Sequence, residues 1–206
     1  MSEYILIIIW IAFMAFLARY LPVRHRELVC GEETERFDFL FALVVIAPVV
    51  WMASQRWNIG DTYAYISTFR RSPTEFGQIP AYMESIQKDD WFYYTACLIK
   101  VFITQNEKLY LGIIAAFQAI SVAVLFRKYS PSYLISIFLF LASTDYISWM
   151  YNGIRQFVAV SIVLFATPLM LKKKYIFSFL VILWRHRGNI QKLLSHEERK
   201  ISWGKR

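Results

Sequence analysis

Polar side chains that could do chemistry are concentrated in two short segments of an apolar sequence. The first segment contains Arg56, Asn58, Gly60, Asp61 and Tyr65 within ten residues. Glycine permits a turn with unusual backbone angles, and aspartate commonly begins a helix. An ordinary loop at the end of a helix is the simpler interpretation of this local pattern, and a binding site is the alternative.

The second polar segment runs from Asp145 through Tyr151 and Asn152 to Arg155 and Gln156. It joins two apolar stretches by a very short turn, so its last residues fall at the edge of a membrane or just inside it. Ionisable groups at that depth are costly and usually face a bundle interior or a polar cavity. Arg155 therefore either belongs to a functional site or has a structural role, in which it extends to the headgroups or pairs with Asp145.

The composition explains why a membrane enters the argument. Of the 206 residues, 57% are hydrophobic and 18% are aromatic, and the mean hydropathy is +0.39. A water-soluble domain of this length could not bury so much apolar surface, so the composition predicts an integral membrane protein. The net charge of +8 comes from basic residues that flank apolar stretches and suit membrane lipid headgroups. No nucleic-acid-binding module accompanies them, and we expect no nucleic acid partner.

The apolar stretches predict an all-α fold, a polytopic transmembrane helical bundle with five spans and a partial sixth. A spanning helix needs roughly 17–25 mostly apolar residues. A shorter apolar stretch, 91–103, predicts an interfacial or re-entrant helix within a long outer loop. Cys30 and Cys97 are far apart in sequence, and we expect neither a metal nor a cofactor. The predicted spans are 4–21, 37–54, 109–126, 133–150, 154–171 and, incompletely, 175–183.

Basic residues predict the orientation of these spans. They cluster in the first, third and fifth loops, which share one side of the membrane if 91–103 does not cross it. The positive-inside rule places that side in the cytoplasm, with the N-terminus outside and both polar segments on the outer face. Arg70 and Arg71 count against this orientation, although long loops obey the rule weakly. The basic residues concerned are Arg19, Arg24, Arg26, Arg36, Arg127, Lys128, Lys172, Lys173 and Lys174.

The two polar segments, their spacing of about a hundred residues and the lysine-rich turn after them resemble the EpsG family. That family comprises bacterial exopolysaccharide polymerases, similar in role to the Wzy-type O-antigen polymerases. The resemblance implies a bacterial inner-membrane protein that polymerises polyprenyl-diphosphate-linked oligosaccharide repeat units at the outer face, beside other exopolysaccharide assembly proteins. The residues that carry the resemblance are Arg56, Asn58, Gly60, Asp61, Tyr65, Tyr151, Asn152, Arg155 and Gln156.

The resemblance also implies roles for these residues. Arg56 and Arg155 are the catalytic candidates that stabilise a diphosphate leaving group, because arginine binds phosphate oxygens in a bidentate manner. Asp61 is the candidate base for the acceptor hydroxyl. The residues expected to bind substrate are Asn58, Gly60, Tyr65, Tyr151, Asn152 and Gln156.

The sequence departs from the family pattern after residue 183. Relatives continue with a complete sixth span, whereas here the apolar stretch changes abruptly to Trp184-Arg-His-Arg. A helix that becomes charged midway through a bilayer is unfavourable. We therefore interpret 1–183 as an EpsG-like domain and 184–206 as a basic tail produced by a frameshift or early stop, which leaves enzyme activity uncertain. A genuine cytoplasmic tail is the alternative.

Two other functions fit a protein of this kind. A transporter or flippase for lipid-linked oligosaccharides would also need arginines near the interface, but it should show repeated halves and charges near the midplane. A non-catalytic subunit of an export system would tolerate alanine at Asp61 and Arg155 together.

Overall fold

The structure, a computed structural model, describes residues 2–29, 31–56, 60–86, 91–143 and 153–171. It is mostly helical, with one antiparallel hairpin of strands β1 (Arg24–Val29) and β2 (Glu32–Phe37) and a 3₁₀ turn at Phe76–Gln78. The helices are α1 (Ser2–Leu17), α2 (Phe39–Gln55), α3 (Thr62–Arg71), α4 (Ile79–Ile86), α5 (Trp91–Phe102), α6 (Glu107–Tyr129), α7 (Tyr133–Ala142) and α8 (Ile154–Leu171).

Two of the described helices, α6 and α8, are long and apolar enough to cross a membrane. Helix α8 has the bounds of the predicted span 154–171. Residues 5–17 of α1, and helices α2 and α7, are apolar but shorter. The predicted helical fold is thus confirmed in its main feature, whereas five spans and a partial sixth stay a prediction. Residues 144–150 of the predicted fourth span and the whole partial sixth span lie outside the described residues.

The centre of the fold is the antiparallel pair α2 and α6. At one end Lys108 Nζ donates a hydrogen bond to Gln55 Oε1 at 2.9 Å, and at the other Arg127 Nε donates to the Phe37 carbonyl at 2.6 Å. A Cβ atom added at Gly112 would lie only 3.3 Å from the Ser54 Cβ. Small residues at such a contact allow two helices to approach closely. The core around the pair includes Val45, Val49, Ala115, Ala119 and Ala123, all buried.

The β-hairpin corrects the expectation of a purely helical fold with a simple first loop. Its strands alternate between exposed and more buried positions from Arg24 to Val29, and Gly31 provides a left-handed residue with φ of +92° in the turn. Because the two strands are short and highly charged, the alternation of side chains along them is hard to distinguish from a basic loop in the sequence. The side chain of Arg127, only 12% exposed, joins the hairpin to α6 through Glu27 at 2.5 Å.

The first loop and the α6–α7 turn lie together at one end of the bundle, which we call the hairpin end. Arg36 Nη1 donates to the Ser130 carbonyl at 2.7 Å, and the Tyr133 hydroxyl donates to the Ala42 carbonyl at 2.7 Å. The basic residues of these two loops led us to expect both on the same side of the membrane, and the two loops do lie at the same end of the bundle. The lysine-rich turn that begins at 172 lies outside the described residues.

Protonation of His25 stabilises the hairpin end. The ring nitrogens of His25 lie 2.6 Å from Asp38 Oδ1 and 2.7 Å from Glu27 Oε1. Hydrogen bonds to Glu27, and then to Asp38, raise the pKa of His25 above its ordinary 6.5. The hydrogen bond to His25, and then that to Arg127, lower the pKa of Glu27 below its ordinary 4.5.

We predict that this contact makes thermal stability fall as the pH rises above 6.5. Because folding raises the pKa of His25, its contacts add stability that is fully present below the ordinary pKa of 6.5. This stability is lost as the pH rises through the higher pKa of the folded state. Thermal unfolding of the purified protein in detergent between pH 5 and pH 9 measures this loss. His25→Gln should flatten the profile in that window, and a variant profile parallel to that of the parent protein would contradict the prediction.

Candidate functional site

The end of the bundle opposite the hairpin is formed where α2 stops and the chain turns toward α3. Arg56 follows α2 in an extended conformation, with φ of −57° and ψ of 140°, and is only 9% exposed. Gly60 has a φ of +56°, which is the left-handed conformation that its position in the sequence predicted. A residue with a side chain would be strained there. Helix α3, which follows, packs against the start of α6, where Phe69 stacks on Tyr110.

Asp61 lies directly before α3 and is exposed. Its backbone carbonyl accepts a hydrogen bond from the Tyr65 amide at 3.3 Å, but its carboxylate makes no capping hydrogen bond to the helix. Asp61 therefore has the position of an N-cap without using its side chain as one. The adjacent Thr62 is fully buried, and its hydroxyl has no hydrogen-bond partner among the described residues.

Tyr65 joins the two polar segments that the sequence places far apart. Its hydroxyl lies against the backbone N–H of Arg155, and Asp61 is within electrostatic range one turn earlier. Burial raises the pKa of Tyr65 because the phenolate is poorly solvated there; Arg155 opposes the shift and Asp61 adds to it. The hydroxyl consequently stays protonated and can donate a hydrogen bond at neutral pH.

Arg56 reaches the same neighbourhood through Tyr110 of α6. Tyr110 is 1% exposed, its ring stacks on Phe69 at a centroid distance of 4.1 Å, and both Arg56 and Tyr65 act on it electrostatically. We call Arg56, Asp61, Tyr65 and Arg155 the polar cluster. Gln156 is exposed beside Arg155 on α8. The other predicted site residues, Asn58, Tyr151 and Asn152, lie outside the described residues, as does Asp145.

Lys100 positions the helix that carries Tyr65, a role the sequence did not reveal. Its ammonium group donates hydrogen bonds to the carbonyls of Phe69, Arg70 and Ser72 at 2.9, 2.7 and 2.6 Å. These carbonyls end α3, where a cation is favourable. Burial lowers the pKa of Lys100. The available signal was a single lysine inside the apolar stretch 91–103, whose helical part is confirmed as α5.

Gln118 has the corresponding role for α8. It is 1% exposed in the middle of α6, and its Nε2 donates to the Ile154 carbonyl at 3.0 Å. Ile154 is the first residue of α8 and precedes Arg155. A buried amide in an apolar helix needs such a partner, and this hydrogen bond joins the start of α8 to the middle of α6. A lone glutamine within an apolar stretch was the only sequence signal.

An apolar cavity of about 300 Å³ adjoins the polar cluster between α5, α6 and α8. Tyr110 is part of its wall, and Tyr65 contacts another wall residue, Phe92, at a centroid distance of 5.4 Å. Val158 also lines it and comes three residues after Arg155, a spacing that puts both on one side of α8. The polar cluster therefore lies at the rim of an apolar cavity.

The described residues include no group of three or more histidine, cysteine, aspartate or glutamate side chains that could hold a metal ion. The described part of the site contains two guanidinium groups, a carboxylate and a phenol. These groups can bind an anion and move a proton beside an apolar compartment.

Two of the described helices are long and apolar enough to cross a membrane, and the polar cluster lies at one end of the helical fold. The sequence model of the EpsG family matches residues 39–184, and the chain belongs to this family. Membership indicates a general role in exopolysaccharide polymerisation, and with the two long apolar helices it indicates a membrane protein. Searches of curated proteins and of solved structures gave no match.

We predict that Lys100→Met loosens α3 and with it the site. The three carbonyls would lose a charged donor, which should cost about 1–3 kcal/mol of stability. Thermal unfolding in detergent, together with faster amide hydrogen exchange in α3, measures the effect.

Lys108→Met is the matched control for Lys100→Met. Lys108 is exposed and makes a hydrogen bond to Gln55, so its loss should change stability by less than about 0.5 kcal/mol. Equal destabilisation by the two substitutions would contradict the assigned role of Lys100.

Proposed function

We propose that this EpsG-family protein polymerises polyprenyl-diphosphate-linked oligosaccharide repeat units at the outer face of the bacterial cytoplasmic membrane. The observation that carries the proposal is Tyr65, which contacts both the Arg155 backbone and the wall of the apolar cavity. A lipid-linked sugar presents an apolar chain, a diphosphate and a sugar in sequence. An apolar cavity beside arginines and a carboxylate is complementary to all three parts.

The arginines are suited to the leaving group. In the proposed reaction an acceptor hydroxyl attacks the anomeric carbon of the growing glycan, and the bond from that carbon to the lipid diphosphate breaks. The diphosphate departs with the electron pair, so negative charge increases on its oxygens. Arg56 and Arg155 stabilise that charge, because guanidinium groups bind phosphate oxygens through two parallel hydrogen bonds.

Asp61 is the proposed base. Its carboxylate is exposed and makes no capping hydrogen bond, so it can accept the proton that the acceptor hydroxyl loses as the new glycosidic bond forms. Tyr65, protonated at neutral pH, donates a hydrogen bond to substrate oxygens. Gln156 is exposed next to Arg155 and extends the hydrogen-bonding surface toward the sugar. Asn58, Gly60, Tyr151 and Asn152 complete the proposed substrate-binding set.

The proposed orientation places the hairpin end in the cytoplasm. Five spans and a partial sixth, with the N-terminus outside, then bring the polar cluster to the outer face. The positive-inside rule supports this orientation, since arginines of the first loop and of the α6–α7 turn lie together at the hairpin end. This arrangement puts the polar cluster where a substrate on the outer leaflet could enter the apolar cavity sideways.

We predict that Arg155→Ala lowers the polymerisation rate by about 10²–10³-fold, the usual effect of removing one group that stabilises developing charge. The assay follows polymer and lipid-linked single units in a strain that carries only the variant gene. Single units should accumulate on the outer leaflet.

Arg71→Ala is the control for Arg155→Ala, because Arg71 is exposed at the end of α3. The Arg71→Ala protein should polymerise at the normal rate. Accumulation on the inner leaflet would indicate a flippase instead. Normal polymer from the double variant Asp61→Ala, Arg155→Ala would indicate a non-catalytic subunit.

We predict that Thr95→Phe blocks the apolar cavity. Thr95 lines the cavity, is exposed on α5 and donates a hydrogen bond to the Trp91 carbonyl at 2.8 Å. A phenyl ring there should occupy space needed by the lipid chain and raise the apparent KM about tenfold with native stability retained. Thr95→Val preserves the size of the side chain and should behave as the parent protein. If Thr95→Phe polymerises with an unchanged KM, the cavity does not hold the lipid chain.

A further inference from the structure

We propose that the hairpin end binds the phosphate group of an anionic membrane lipid in a pocket separate from the polar cluster. The pocket has a volume of about 210 Å³ and lies between the hairpin, the end of α6 and the start of α7. Its lining includes Arg24, Glu35, Arg36, Arg127, Ser132 and Tyr133. We call it the arginine pocket. The proposal does not depend on the proposed polymerase activity.

The three arginines of the pocket differ in how far the protein already uses them. Arg127 is committed to the Phe37 carbonyl and to Glu27. Arg36 Nη1 donates to the Ser130 carbonyl, but its buried Nε has no acceptor among the described residues. A buried guanidinium nitrogen without an acceptor is costly, so an oxygen-rich ligand beside Arg36 would remove that cost.

Arg24 supplies a second guanidinium with unused hydrogen-bond donors. It lies over the Phe37 ring at 4.8 Å and 3.5 Å from Glu35 Oε2, with its side chain about half exposed. The aromatic ring orients the planar guanidinium toward the pocket, and one contact at 3.5 Å occupies few of its five N–H groups. With Arg127 neutralised by Glu27, Arg24 and Arg36 oppose the single carboxylate of Glu35, and the pocket keeps an excess of positive charge.

The start of α7 adds a further favourable field for an anion. Ser132 precedes this ten-residue helix without a side-chain capping hydrogen bond, and Tyr133 is its first residue. The first backbone N–H groups of a helix carry partial positive charge and suit phosphate oxygens. The start of α7 and the arginines meet in one cavity. Together their N–H groups are suited to hydrogen-bond the oxygens of a phosphate ester.

Exposed apolar side chains around the pocket identify a lipid as the source of that phosphate. Phe39 and Leu40 begin α2, one residue after the hairpin, and are 47% and 73% exposed, and Ile135 and Leu139 of α7 are 60% and 59% exposed. This apolar surface begins within a few residues of the pocket lining. The acyl chains of a lipid whose headgroup occupies the pocket could lie against it, whereas a free phosphate ion gains nothing from it.

The test measures binding of dioleoyl phosphatidylglycerol and dioleoyl phosphatidylcholine to the purified full-length chain in detergent by native mass spectrometry. Phosphatidylglycerol should bind preferentially, and Arg24→Gln or Arg36→Gln should each weaken it about tenfold, as expected for the loss of a charged hydrogen bond.

Arg26→Gln is the control for this loss. It removes the same charge from the same strand, but the Arg26 side chain is 80% exposed and does not line the pocket, so affinity should change less than about twofold. Arg36→Gln also loses the contact to Ser130, so thermal unfolding is measured beside binding. Arg24→Gln leaves that contact intact and decides the result if Arg36→Gln fails to fold.

Equal binding of the two lipids, or an equal loss in all three variants, would overturn the proposal, because either result reflects general charge rather than a pocket. A separate arm adds inorganic phosphate. If phosphate alone binds with the affinity of phosphatidylglycerol and displaces it, the pocket is a site for a free anion and the lipid assignment is wrong.

Discussion

The close antiparallel packing of α2 against α6 is the constraint on which the rest of the structure depends. Gly112 faces Ser54 so closely that even a methyl group would meet it, and at the hairpin end Arg127 of α6 donates a hydrogen bond to the Phe37 carbonyl. Because the two helices run in opposite directions, the end of α2 meets the start of α6 at the polar cluster. The start of α2 and the end of α6 meet at the hairpin end. The polar cluster and the arginine pocket therefore lie at opposite ends of one helix pair.

Buried polar side chains orient the remaining elements around this pair. Lys100 holds the end of α3, and Gln118 holds the start of α8. Lys100 supplies a donor to carbonyls at the end of α3, and the buried amide of Gln118 gains the acceptor that it needs in an apolar environment. The helices that carry Tyr65 and Arg155 are therefore positioned by polar contacts made from α5 and α6. Specific placement of the cluster depends on residues that do not themselves belong to it.

Much of the fold was predictable because helix periodicity and hydrophobicity are local properties. The bounds of α8, the helix within 91–103 and the left-handed Gly60 were all anticipated. The β-hairpin was not, since its six-residue strands carry many charges and make a contact with Arg127, which is distant in sequence. Local sequence could not show that contact, because about a hundred residues separate its partners.

Some features of the candidate site were likewise predictable from the sequence, and others were not. The residue types at Arg56, Asp61 and Arg155, and the EpsG pattern they form, are properties of the sequence alone, because chemical character and spacing are encoded directly. Tertiary structure alone decided that Tyr65 lies against the Arg155 backbone and that an apolar cavity opens beside them. It also decided that Arg24, Arg36 and the start of α7 surround one pocket. These juxtapositions join distant positions, and only the packing of helices against one another creates them.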